Sequence, residues 1–403
     1  MSIILLNRAK RSMIWQACAS VAWMITPMAL ASTRSPLSGV DFVQVRNLTG
    51  LFCAIFLVGY PQSIVLALSK GKTSYALCIG ITNKAFRISS IGALLVVAAI
   101  LILANTLSFD SMRASWMIAS VLSVPPLIFL SLYRAIALAA HDQRVFNLTS
   151  AIPAILTFMC AAVFIGMGVP FYAYWSIPLC HWIAVCALWR RLRVPQEDTA
   201  KLSHPPSYGL YISLYSGMLA LPAPYLIWRA HEALSQSGSV VLAMSLVLWG
   251  AILFPVRAFL PHYLAGRSQM NAETRRKISI AQFPAAILLS SILFLLIRFQ
   301  PFDYDSMNVI RSAALPIAVA SVPLFLVEYL FCELLFLEKK AALIFLAILK
   351  ATLYLLIPAC VGNDYTSWLY AISIIELIVY IAACILLSRG LKGCVNPGQE
   401  QRA

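Results

Sequence analysis

Five ionisable side chains interrupt stretches of sequence otherwise too apolar to hold them: His181, Arg257, Glu328, Lys350 and Glu376. A charge at the centre of a membrane helix costs about 2.5–3.5 kcal/mol on insertion scales, so each of these needs a partner, a wet cavity or a function. Arg257 lies between Pro255 and Pro261, where a helix must bend. Its guanidinium can fork onto two phosphate oxygens, or its stem can carry the charge back to the membrane surface. Lys350 and Glu376 fall near the middle of consecutive apolar runs, where they can neutralise each other or couple transport to a proton or Na⁺ gradient. Glu328 offers a coupling carboxylate of the same kind, while Glu333 falls nearer a helix end. His181 is either a satisfied core residue or a substrate contact, and Arg229, at the end of its run, is either a surface charge or a second substrate contact. The ten cysteines show no CxxC or Cys/His ligand spacing, so neither a metal nor an organic cofactor is expected.

The composition says what must position these groups. Of 403 residues, 61% are hydrophobic and 11% charged, whereas a soluble chain keeps roughly a quarter of its residues charged. This chain belongs in a bilayer. Its formal charge of +15 resides in short segments between apolar runs, which suits an anionic inner leaflet better than nucleic acid. Apolar runs of about 20 residues, the length of a membrane helix, cover 12–31, 48–68, 85–104, 114–133, 146–167 and 171–189, then 208–228, 240–263, 278–297, 313–336, 341–360 and 366–387. Between the two sets of six lies WRRLRVPQEDTAKLSHPPSY, the longest polar interruption in the chain. The fold class is therefore an all-α polytopic membrane protein with about twelve transmembrane helices. Two pseudo-symmetric six-helix lobes, 1–189 and 208–388, flank a cytoplasmic linker at 190–207, and a polar tail occupies 389–403. Lysine and arginine concentrate on the side of the linker and the termini, which places both termini in the cytoplasm. The first run follows Arg8, Lys10 and Arg11 like a signal peptide, but its apolar part is longer than a signal core and it is expected to stay.

In the first six runs, His181 is the ionisable group expected at depth, and no arginine is placed deep there. Prolines recur inside most runs; each removes a backbone donor and bends its helix. They reflect either the ordinary frequency of proline in membrane helices or bent helices around a cavity that opens and closes. On the second reading Pro61, Pro255 and Pro261 are the gating positions.

Three stretches resemble the polysaccharide flippases of the MOP/MATE superfamily, the group that includes O-antigen flippases. LFCAIFLVGYPQSIVLALSKGK, from Leu51, is similar to that family's second helix; LYRAIALAAHDQRVFNLTSAIPAIL, from Leu132, is similar to its fourth helix, loop and fifth helix. YGLYISLYSGMLALPAPYLIW opens the second half, and FPVRAFLPHYLAGR resembles the ending of the family's eighth helix. The resemblance implies a MATE-like fold in the bacterial inner membrane. It also implies a cationic cavity and the flipping of an undecaprenyl-pyrophosphate-linked oligosaccharide for lipopolysaccharide O-antigen or other surface polysaccharide. The implied partners are that lipid-linked oligosaccharide, the bilayer, and glycan polymerase or glycosyltransferase proteins. A multidrug or small-solute antiporter of the same superfamily is the alternative, although the first run lacks the acidic residue that drug-exporting relatives commonly carry. A membrane glycan polymerase or acyltransferase is a third reading, and no Ser/His/Asp or paired-carboxylate grouping on the outer side supports it. The chain is read as a transporter and not an enzyme.

Overall fold

A computed structural model of the protein describes residues 3–57, 60–69, 73–106, 111–191, 209–253, 272–299, 305–337 and 339–392. The described residues form helices and no strand. In hydrocarbon every backbone N–H and C=O must be satisfied within its own segment, and an α-helix achieves this without an edge. The first lobe runs Ile3–Ala31, a second helix in two pieces (Leu37–Phe56 and Tyr60–Ser69), Tyr75–Thr106, Ser111–Ala139, Gln143–Gly166, and a 3₁₀ turn at Pro170–Trp175 leading into Ser176–Leu188. The second begins with a divided seventh helix (Gly209–Ala220 and Pro222–Ala233) and continues with Gln236–Ile252, Ala272–Arg298, the short Asp305–Ser312, Ala314–Phe336, Lys340–Cys360 and Tyr365–Lys392.

The packing repeats. In the first half, helix one packs on five, three on four, four on six and five on six. In the second half, seven packs on eleven, nine on ten, ten on twelve and eleven on twelve. Between the halves, two meets seven and one meets eight, which are equivalent contacts under the same shift of six, and two also meets eight. An approximate twofold therefore relates the lobes, with helices one, two, seven and eight along the seam. Helices three and nine, equivalent under this relation, turn Ile91, Leu94 and Leu95 and Ile287, Leu288 and Leu296 outward, as lipid-facing helices must. Their place in the bundle explains why so much apolar surface is left uncovered.

The second-lobe core is one continuous cluster, which extends across the seam to Ala31, Val40 and Val43. The first-lobe core is split into several smaller clusters. A cavity lies between them.

Several helices begin earlier or end later than the hydropathy predicts, and two of these differences bear on the site. The second helix starts at Leu37, eleven residues before position 48, because Asp41, Gln44, Arg46 and Asn47 pull its first half out of any apolar window. The fourth continues to Ala139 and carries Arg134 inside it. Most of the described helix prolines, including Pro27, Pro125, Pro126, Pro153, Pro284 and Pro323, sit in continuous helices. The seventh helix breaks at Leu221, just before Pro222, and Pro61 is the second residue of the second helix's second piece. The two divided helices are neighbours across the seam. Residues 192–208, most of the polar linker, lie outside the described residues.

Asp364 starts the twelfth helix by accepting from the backbone N–H groups of Ser367 at 2.9 Å and Thr366 at 3.3 Å. The Ser367 backbone bond holds its carboxyl below the usual carboxylate range. The cap's contribution is thus complete above the unfolded carboxyl's value and disappears as pH falls through the lower folded one. Asp364→Ala is expected to cost about 1 kcal/mol at neutral pH, read as a lower thermal midpoint in detergent, and the difference from wild type should vanish in acid.

Candidate functional site

The first lobe encloses a cavity of about 340 Å³. Five helices line it, and its charged residues are Arg46 from the second helix and Arg134 from the fourth, with His181 from the sixth. No aspartate or glutamate lines it among the described residues. The Arg46 guanidinium lies over the Trp23 ring at 5.0 Å, with Nη1 3.5 Å from the Trp23 carbonyl. Arg134 lies over Phe146 at 4.6 Å, and no carboxylate pairs with it among the described residues. Aromatic faces stabilise a cation electrostatically and fix its direction without neutralising it. His181 is buried, and its Nδ1 donates to the Ile177 carbonyl at 2.7 Å. That bond fixes the neutral tautomer and leaves Nε2 as an acceptor.

The expectation that no arginine sits deep in the first lobe is therefore corrected. Arg46 escaped because its helix begins earlier than its hydropathy suggests, and Arg134 because its helix ends later. The recoverable signal was spacing: Arg46, Thr49, Gly50 and Cys53 recur at three and four residues, one face of a helix. A second chamber of about 260 Å³ shares Gly50, Leu127 and Ser131 with the first and reaches Pro61 and, across the seam, Ser216. Pro61 thus stands at a helix break beside the cavity. Arg257, Pro255 and Pro261 lie outside the described residues.

The lobes close on each other at the end of the bundle opposite the chain termini. Arg113 of the fourth helix reaches Glu232 of the seventh at 3.2 Å and lies over Trp228 at 4.6 Å. Arg229 bonds the same carboxylate at 2.6 Å, so it sits in a surface cluster and not in the cavity. Behind this rim the Trp116 and His231 rings approach to 5.4 Å, and Gln44 donates to the Pro224 carbonyl at 3.2 Å. The cavity lies in the other half, where the linings of the fourth and fifth helices, 127–134 and 149–153, approach the ends nearest the termini. Exposed ion pairs contribute about 0.2–1 kcal/mol each, so Glu232→Gln is expected to raise the population open at this end about two- to fivefold. Spin labels at Ser35 and Ser237, in a cysteine-depleted background, report it; an unchanged distance distribution rules the latch out.

No protein-family model matches the chain, and no curated protein matches its sequence. Solved structures do match. One is an outward-facing multidrug resistance MATE family transporter of the MOP superfamily, 14% identical, with 96% of each chain covered and a TM-score of 0.68. A second, the same transporter type in an inward-facing conformation, is 12% identical over 95% of this chain and 96% of that one, at 0.63. A third is a MOP superfamily transporter from Pyrococcus furiosus, described as having a binding pocket of reverse polarity; it is 15% identical over 96% of this chain and 95% of that one, at 0.64. The chain has the MATE fold.

In the second lobe of this MATE fold, Lys350 and Glu376 meet. Lys350 Nζ lies 2.6 Å from Glu376 Oε1, and the Tyr354 hydroxyl donates to the same oxygen at 2.5 Å. Glu376 is fully buried, and its Oε2 has no hydrogen-bond partner among the described residues. Glu328 is half-buried on the tenth helix. The second lobe thus pairs a lysine with a carboxylate, whereas the first places Arg46 and Arg134 on a cavity wall and buries Asp41 on its second helix.

Proposed function

We propose that this chain flips a lipid-linked oligosaccharide of the undecaprenyl-pyrophosphate type across the bacterial inner membrane, for surface polysaccharide biosynthesis. The observation that carries this reading is the first-lobe cavity with Arg46 and Arg134 on its wall and no carboxylate among its described lining residues. Two guanidiniums can hold a pyrophosphate through charge-assisted, forked hydrogen bonds, whereas an organic cation entering the same cavity would meet like charge. A fold shared with multidrug transporters does not fix the substrate; the polarity of the cavity is what selects an anion here.

The transport problem suits the architecture. Each sugar hydroxyl costs roughly 4–8 kcal/mol to move unpartnered from water into an alkane-like medium, so a glycan needs a polar route. Two lobes that close alternately at either end supply one without chemistry. With both termini cytoplasmic, the latched end is periplasmic and the cavity stands toward the leaflet where the substrate is made. Glu328 is the carboxylate read as coupling transport to a proton or Na⁺, and glycosyltransferases and a glycan polymerase are the partners such a substrate requires.

The test is transfer of a fluorescent undecaprenyl-pyrophosphate-linked glycan between leaflets of proteoliposomes holding the full chain. Transfer above empty vesicles is expected. Extrusion of a cationic dye with no glycan transfer would replace this reading with the antiporter.

A further inference from the structure

Behind the latch that closes the lobes sits a histidine with one ring nitrogen left over. His231 lies in the last turn of the seventh helix, beyond the apolar run 208–228. Its ring packs 5.4 Å from the Trp116 ring of the fourth helix, so this neighbour belongs to the other lobe. Nε2 is buried and has no hydrogen-bond partner among the described residues. A neutral imidazole can hold Nε2 there as a bare acceptor. An imidazolium carries a proton on both nitrogens, and each then needs an acceptor. Leaving a buried group unpartnered costs more when the group is charged.

The charges around His231 act in the same direction. Burial, and after it the charge of Arg113, hold the imidazole below the usual histidine value. Glu232, the next residue, is already engaged: Oε1 accepts from Arg113 and from the Trp228 indole N–H at 3.0 Å, and Oε2 accepts from Arg229. Asp41 of the second helix is buried and bears on Tyr174 of the 3₁₀ turn, not on His231. The eighth helix has no titratable side chain over Gln236–Ile252, and the eleventh ends here on Cys360. The Trp116 ring favours a cation, but that one weak attraction is opposed by Arg113 and by burial. Arg113 and Trp116 both belong to the first lobe, so parting the lobes takes the like charge away and admits water. The open end therefore binds a proton more readily than the closed one. We infer that His231 is an acid switch on the latch: protons on that face of the membrane weaken the closed end and favour its opening. Its contribution to closure is complete above the ordinary histidine value and shrinks as pH falls through that value toward the lower one of the closed form. The switch rests on the latch alone and holds whatever the transporter carries.

The experiment places spin labels at Ser35 and Ser237 of the full, cysteine-depleted chain in nanodiscs and reads the distance distribution at about pH 8 and about pH 5.5. Acidification is expected to raise the open-to-closed ratio about five- to tenfold. His231→Gln, which is neutral at both pH values, should flatten that response. His231→Phe keeps a ring against Trp116 and should flatten it as well, which separates the lost titration from lost packing. A wild-type distribution unchanged by acid overturns the switch, and so does an acid response that persists in both variants.

Discussion

Arg46→Gln/Arg134→Gln is expected to lower glycan transfer in proteoliposomes by on the order of a hundredfold or more while the protein stays folded. A hydrogen bond to a charged group contributes about 1.5–3 kcal/mol, so losing one from each guanidinium compounds to at least that factor. Folding is expected to survive because Arg134 pairs with no carboxylate among the described residues, and the described residues of the cavity lining include none. Arg134→Lys should retain part of the activity, since an ammonium keeps the charge but loses the fork. Transfer at wild-type rates in the double variant would show that the cavity is not where the substrate's anion sits.

What could be read in the sequence divides along physical lines. Apolar runs reveal helices that face lipid, so the third, ninth and twelfth were evident from composition alone. The second helix was located only by half, because a helix lining a wet cavity and a seam carries Asp41, Gln44 and Arg46 and does not look like a membrane segment. The residues that made the site also hid it. Arg134 falls one residue past the apolar run 114–133, and nothing in composition says that a helix persists six residues beyond Tyr133 to Ala139. The latch was out of reach: Arg113 and Glu232 are 119 positions apart, and only the meeting of two lobes brings them together. Lys350 and Glu376 were legible as a possible pair because they sit at similar depth in consecutive antiparallel helices. Arg257, the substrate contact the sequence favoured, lies outside the described residues, and the cavity found in its place is lined by first-half residues together with Ser216 at its annex.

Lys350→Met should destabilise the protein by about 3–5 kcal/mol, and Lys350→Met/Glu376→Leu should recover most of that loss. The asymmetry follows from burial. Glu376 is fully enclosed and only its Oε1 is engaged, by Lys350 and Tyr354. Removing the ammonium strands a buried carboxylate, whereas removing both charged partners leaves only the Tyr354 hydroxyl without its acceptor, a smaller loss. Thermal unfolding of the full chain in detergent reads the difference directly. The double variant is also expected to keep flipping glycan, because the pair is read as a brace between the eleventh and twelfth helices. In lipid, apolar side chains gain little by leaving the hydrocarbon for each other, so a buried polar contact is among the few forces that hold two helices in one register. A double variant as stable as wild type yet unable to transport would transfer Glu376 from brace to coupling group. The same protein would then carry its proton or Na⁺ in one lobe and its substrate's anion in the other, and the rocking of the lobes would link the two.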